Sequence, residues 1–270
     1  MIAYLNGANG LGFILLLGIY LYKYKGSDSH HYSPTASWIR AFLYFSFCFG
    51  LSALTGTQAF ILSSPLWTEA QLTNQSWLLW TTGITGFILF AYWFIWVRYT
   101  IRFDRKIHLL SQIPFGLIWG LAMGQVIMMV WHLSLTVGAD WPLWGQIIFA
   151  WSLLGFIQWA WQDLYWDIYI SPEHDSPYSI PLKTFASHIP NVTLCLIYMG
   201  LYQSYMVVIA LQTLALIGCT IGMRMPPFWS TEQTPAARRI RFFGPIYRAG
   251  GYVSSDPKND RYLKAAHLPR

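Results

Sequence analysis

KTFASHIPNVTLCLIYMGLYQSYMVVIALQTLALIGCTIGMR, running from Lys183 to Arg224, is apolar between its basic ends and too long for a single membrane crossing. As one helix its 42 residues would extend about 60 Å, twice the roughly 30 Å hydrocarbon thickness of a bilayer. The chain is therefore expected to fold back near Gly200, Gln203 and Ser204, giving two spans. Working outward, five more runs of sufficient apolar length lie at about 2–22, 38–63, 77–98, 108–134 and 142–168. The expectation is an all-α, polytopic integral-membrane helical bundle of seven transmembrane helices over residues 1–225, followed by a basic aromatic tail over 226–270.

Composition supports this reading. Of 270 residues 55% are hydrophobic, 18% aromatic and only 10% charged, whereas a water-soluble domain carries about a quarter charged residues. An ordinary soluble enzyme and a disordered chain are both excluded, the latter by its wealth of rings and β-branched side chains. The three cysteines, Cys48, Cys195 and Cys219, sit in apolar runs without CxxC or Cys/His metal spacing and read as packing residues.

Basic residues set the orientation, because Lys and Arg flanking membrane spans are retained on the cytoplasmic side. All 17 fall in four groups: Lys23, Lys25 and Arg40; Arg98, Arg102, Arg105 and Lys106; Lys183; and Arg224 through Arg270. The connections at 64–76 and 137–141 hold Glu69 and Asp140 but no cation. Seven spans put the four groups on one face, with the N-terminus outside and the C-terminus cytoplasmic; six would strand Arg238, Arg239 and Arg241 outside. The run 2–22 lacks a basic leader and a small-residue cleavage site, so it reads as span one rather than a removable signal. Pro226 and Pro227 end the last helix, and the tail's mixture of Arg and aromatic residues suits anionic lipid headgroups and offers a surface to a protein partner. The pI near 9.2 follows from the orientation rule and implies no nucleic acid.

Within the spans, Gly116, Gly120 and Gly124 recur every four residues and predict a close helix contact. Trp67, Trp77, Trp141 and Trp144 at one boundary, and Trp96, Trp161 and Trp166 at the other, read as aromatic belts. Gln125 and His132, seven residues apart on one face, are expected to line a polar seam against Gln146 and Gln158 of span five. No carboxylate or Lys lies near the midplane, which argues against a proton-coupled transporter. Asn74-Gln75-Ser76 forms an N-glycosylation sequon in an outer connection.

The chemical signal lies between spans five and six. Four of the 11 acidic residues fall from Asp163 to Asp175. Asp163 and Asp167 are one helical turn apart, about 6 Å between Cβ atoms, where like charges call for a cation, water or a raised pKa. Pro172 ends that helix, and Glu173, His174 and Asp175 form a turn before Lys183, His188 and Asn191. One reading is a cation-assisted enzyme acting on a lipid or isoprenoid at the cytoplasmic boundary. In it Asp163, Asp167 and His174 bind a divalent cation, Glu173 or His188 acts as acid or base, and Lys183 holds an anionic head. The same residues also read as a solvated loop whose acids pair with Arg98, Arg102, Arg105, Lys106 or Lys183. A third reading, from another class, is a non-catalytic membrane subunit or binding protein holding a partner, lipid or pigment. It draws on the lack of HExxH, histidine boxes or a second aspartate-rich motif; a retinal protein is excluded because the last span, Tyr205 to Met223, has no Lys.

Overall fold

The computed structural model describes residues 31–32, 34–97, 107–157, 188–223, 225, 227–229 and 234–235. These residues are almost wholly helical. In chain order they form β1 (His31–Tyr32), α1 (Pro34–Leu54), α2 (Thr57–Leu62), α3 (Glu69–Leu72) and α4 (Gln75–Phe90), which widens into a π-helical turn over Ala91–Trp96. Then come α5 (Leu109–Val137), α6 (Leu143–Ile157), α7 (Ile189–Tyr202), α8 (Tyr205–Met223) and β2 (Thr234–Pro235). The strands are two-residue pieces paired antiparallel, His31 with Pro235 and Tyr32 with Thr234.

Side-chain contacts give each helix its direction. Trp38 meets Phe115 and Ser52 meets Gln125, so α1 runs parallel to α5. Thr81 bonds Tyr198 while Tyr92 bonds Asn191, so α4 is antiparallel to α7. Leu143 lies by Gly200 and Trp151 bonds Thr193, which makes α6 antiparallel to α7 as well. Gly116 faces Ile217 and Gly124 faces Ile209, so α5 and α8 are antiparallel. The described helices therefore alternate up and down. One end gathers the connections at 63–74, 138–142 and 203–204, none containing Lys or Arg; the other gathers the ends next in sequence to Arg98, Lys106 and Arg224.

Three helices are long and apolar enough to cross a membrane: Gln75–Trp96, Leu109–Val137 and Tyr205–Gly222. Ala41–Leu54, Leu143–Gly155 and Ile189–Tyr202 are shorter apolar helices, and the expected first span at 2–22 lies outside the described residues. Large apolar side chains cover the outside, Leu79 at 67% and Phe94 at 61% exposure among them, while the described residues include only three charged ones, Arg40, Glu69 and Asp140. A face this apolar is that of a membrane-type helical protein.

The expected fold-back occurs where the sequence placed it. Gln203 adopts a left-handed conformation (φ 52°) and separates α7 from α8. The turn is clamped from α3. Gln71 completes a reciprocal cap with Thr68 and donates from Nε2 to Tyr202 O (2.9 Å) and Ser204 Oγ (3.0 Å), satisfying a carbonyl at the end of α7.

Two expectations are corrected. The run 38–63 is not one helix: it breaks at Thr55–Gly56, where Gly56 has φ 73°, a conformation a residue with a Cβ adopts only under strain. Trp67, Trp141 and Trp144 are exposed as a belt requires, but Trp77 and Trp96 are core residues, 4% and 2% exposed. Trp77 is drawn inward because its Nε1 donates to Ser204 Oγ at 2.9 Å. Trp161 and Trp166 lie outside the described residues.

Candidate functional site

Of the six residues expected to form the site, Asp163, Asp167, Glu173, His174 and Lys183 lie outside the described residues. His188 is described, half-buried at the entry to α7, where the sequence placed it. It precedes α7 with its ring wedged edge-on against Tyr92 and Trp96, centroids 5.8 Å from each, and Nδ1 is 3.1 Å from the Tyr92 hydroxyl. Both partners come from the π-helical turn that closes α4.

Tyr92 is itself fixed. Its hydroxyl accepts from Asn191 Nδ2 at 3.0 Å. Asn191 and Gln212 form a reciprocal amide pair, Nδ2 to Oε1 at 3.0 Å and Nε2 to Oδ1 at 2.8 Å. The second proton on Gln212 Nε2 is directed at Cys195 Sγ (3.4 Å), whose own weak donor points to Asn191 Oδ1 (3.5 Å). Cys219 Sγ donates to Tyr92 O at 3.4 Å. Every polar atom is buried among α4, α7 and α8, and the amide protons are fully used.

The imidazole of His188 is joined through the Tyr92 hydroxyl to a buried amide network, which sets the orientation of its ring.

The sequence singled out His188 and Asn191 but missed Tyr92 and Gln212. Gln212 had a visible signal, an amide in an otherwise apolar span. Tyr92 had none, being one ring among many. The cysteines are packing residues as expected, all three buried.

The second polar group departs from expectation. Gln125 and His132 do share a face of α5, but it is turned to α1 and α2 rather than to α6. Gln125 bonds Ser52 at 2.6 Å, and His132 bonds Thr57 at 3.1 Å and stacks on Phe60. Gln146 caps the α5–α6 connection instead, donating to Gly138 O at 2.7 Å, and Gln158 lies outside the described residues. The break in α1 explains the turn, since it brings Thr57 and Phe60 over the upper part of α5.

An apolar groove of about 400 Å³ runs between α4 and α7, lined by Leu79, Trp80, Gly83, Ile84, Phe87 and Leu194. Tyr92 lies in the π-helical turn that follows α4, and His188 lies just before α7. Among the described residues no three His, Cys, Asp or Glu side chains gather as metal ligands. No known protein family, curated protein or solved structure matches the chain.

Proposed function

We propose that the chain is a seven-span membrane protein, outside at its N-terminus and cytoplasmic at its tail, that binds a lipid or isoprenoid and acts on its polar head at the basic boundary with a divalent cation. The observation that carries the reading is the seating of His188: a buried chain from Gln212 through Asn191 and Tyr92 reaches its Nδ1 and fixes its orientation. Such bracing is what an acid–base group needs and what a solvated loop residue lacks. In this reading Asp163, Asp167 and His174 hold the cation, Glu173 or His188 acts as acid or base, and Lys183 neutralises the anionic head. The groove on α4 and α7 suits an apolar tail, and the segment 226–270 rests on anionic headgroups or a protein partner.

Elemental analysis of the purified full chain after incubation with Mn²⁺ tests the metal arm. About one equivalent is expected, falling at least tenfold in Asp163→Ala and His174→Ala while the unfolding midpoint stays put. Equal metal content in folded variants removes the cation from the reading. The groove, with its predominantly apolar lining, favours a second reading, a non-catalytic protein that holds a lipid, a partner or a pigment. A visible absorption band in the metal-free protein would support the pigment form.

A further inference from the structure

We propose a second site, at the break between α1 and α2: a receptor for the hydroxyl group of a lipid-soluble alcohol, with His132 Nε2 as its acceptor. The inference is independent of the reading given for His188, which sits at the opposite end of the bundle.

Hydrogen-bond direction carries it. Thr55 Oγ1 is 2.9 Å from Leu51 O, and a carbonyl can only accept, so the Thr55 proton is used there. Thr57 Oγ1, 2.9 Å from Thr55 Oγ1, must then be the donor of that pair. With its own proton engaged, Thr57 Oγ1 accepts from His132 Nδ1 across 3.1 Å. The neutral imidazole thus holds its proton on Nδ1 and leaves a lone pair on Nε2. That nitrogen has no hydrogen-bond partner among the described residues, although the ring is held in place by parallel stacking on Phe60, 4.6 Å between centroids at 6°.

A second observation points the same way. Gln125, only 3% exposed, and Gln58 both direct one end of their amides at the Ser52 hydroxyl, at 2.6 and 3.3 Å. Ser52 has a single proton, and whichever way the amides are turned, each keeps its other polar end unpartnered among the described residues. The unused amide end of Gln125, on the α5 face shared with His132, is not sealed inside the protein, so it too offers a hydrogen-bonding group to a ligand beside it.

The surroundings select the ligand. Ser52, Thr55, Thr57, Gln58 and Gln125 are neutral, so neither an anion nor a metal cation finds a countercharge. An O–H donor of an uncharged amphiphile matches Nε2. Broken helices within apolar spans commonly line ligand sites, and this one is open on its outer side: Ala53, Leu54 and Gly56 are exposed, with nothing within 4 Å of a Cβ placed on Gly56. A ligand dissolved in the membrane can enter there.

The test compares farnesol with farnesyl methyl ether, which differ in one donor, by native mass spectrometry of the full chain in detergent. The alcohol is expected to bind about five- to tenfold more tightly, the effect of one hydrogen bond. His132→Asn retains an amide nitrogen where Nδ1 meets Thr57 but has nothing at Nε2, so alcohol affinity should fall to that of the ether. Thr57→Val removes the acceptor from Nδ1, lets the proton move to Nε2, and should abolish the preference without deleting the ring. Equal binding of the two ligands by the wild type, a preference that survives either folded variant, or no binding of either ligand would each overturn the proposal. Should His132→Asn fail to fold, Thr57→Val decides.

Discussion

Gly120→Ala is expected to destabilise the bundle by about 3 kcal/mol or more, while the same exchange at Gly83 leaves stability unchanged or raises it by up to about 1 kcal/mol. Alanine has the higher helix propensity, so the sign at each site is decided by what the new methyl meets. At Gly120 it would run into Thr213 Cα, with Thr213 N at 3.0 Å and Gln212 O at 3.1 Å. All three are backbone atoms and cannot rotate away. The helices would have to part, and parting weakens contacts along the seam: Gly116 against Ile217 Cα, where a Cβ would stand 2.5 Å away, and Gly124 against Ile209. It also strains Thr220 Oγ1 to Gln112 O (2.7 Å) and Gln112 Nε2 to Met225 O (3.2 Å). Packing is the main force between helices in a membrane, so these losses have no hydrophobic compensation. At Gly83 nothing lies within 4 Å. A thiol-reactive dye reports the outcome directly, since Cys48, Cys195 and Cys219 are all buried and become reactive on unfolding. The Gly120→Ala midpoint should fall by on the order of 5–10 °C. Equal midpoints for the two variants would show that α5 and α8 do not approach as described.

The same glycines show how much of the fold is legible in sequence. A four-residue repeat of small side chains states that a helix approaches closely, and it does; that the visitor is α8 is not in the repeat, because five other expected spans offer equally plausible surfaces. The break at Gln203 was legible because length alone forbids one helix over 183–224. The break at Gly56 was not, since a glycine within an apolar run is usually carried by a helix, and only the packing of Thr57 on His132 reveals the turn. Trp77 and Trp96 went to the core because hydrogen-bonding and ring partners waited there, and such partners lie far away in sequence, 127 residues apart in the case of Trp77 and Ser204.

The candidate site was legible only as residue types. The sequence placed His188 near a boundary but could not supply its seating, which depends on Tyr92 and on the Asn191 that holds Tyr92, a tertiary fact. Likewise the spacing of Gln125 and His132 gave a shared face without giving its direction. Periodicity reports which residues go together; it is silent on what they meet.

Asn191→Leu, Gln212→Leu and the double variant should give a strongly non-additive cycle. Asn191 touches Tyr92, Gln212 and Cys195, so its loss strands Gln212 Oε1, leaves Gln212 Nε2 only its weak contact with Cys195 Sγ, and removes the donor to Tyr92; about 2–3 kcal/mol of destabilisation is expected. Gln212→Leu strands less, because Asn191 keeps Tyr92, and about 1–2 kcal/mol is expected. In the double variant no amide remains to be left unsatisfied, so its cost should match the worse single variant, a coupling of about 1.5 kcal/mol, near the upper end for hydrogen bonds between membrane helices. The cycle also bears on His188. With Asn191 gone, the Tyr92 hydroxyl loses the donor that fixes it, its bond to His188 Nδ1 is free to rearrange, and the ¹⁵N shifts of His188 should move. Gln212→Leu leaves Tyr92 engaged and should leave those shifts alone. Additive stabilities with unchanged shifts in Asn191→Leu would mean that the buried amides merely fill space, and that His188 takes its orientation from ring packing against Tyr92 and Trp96.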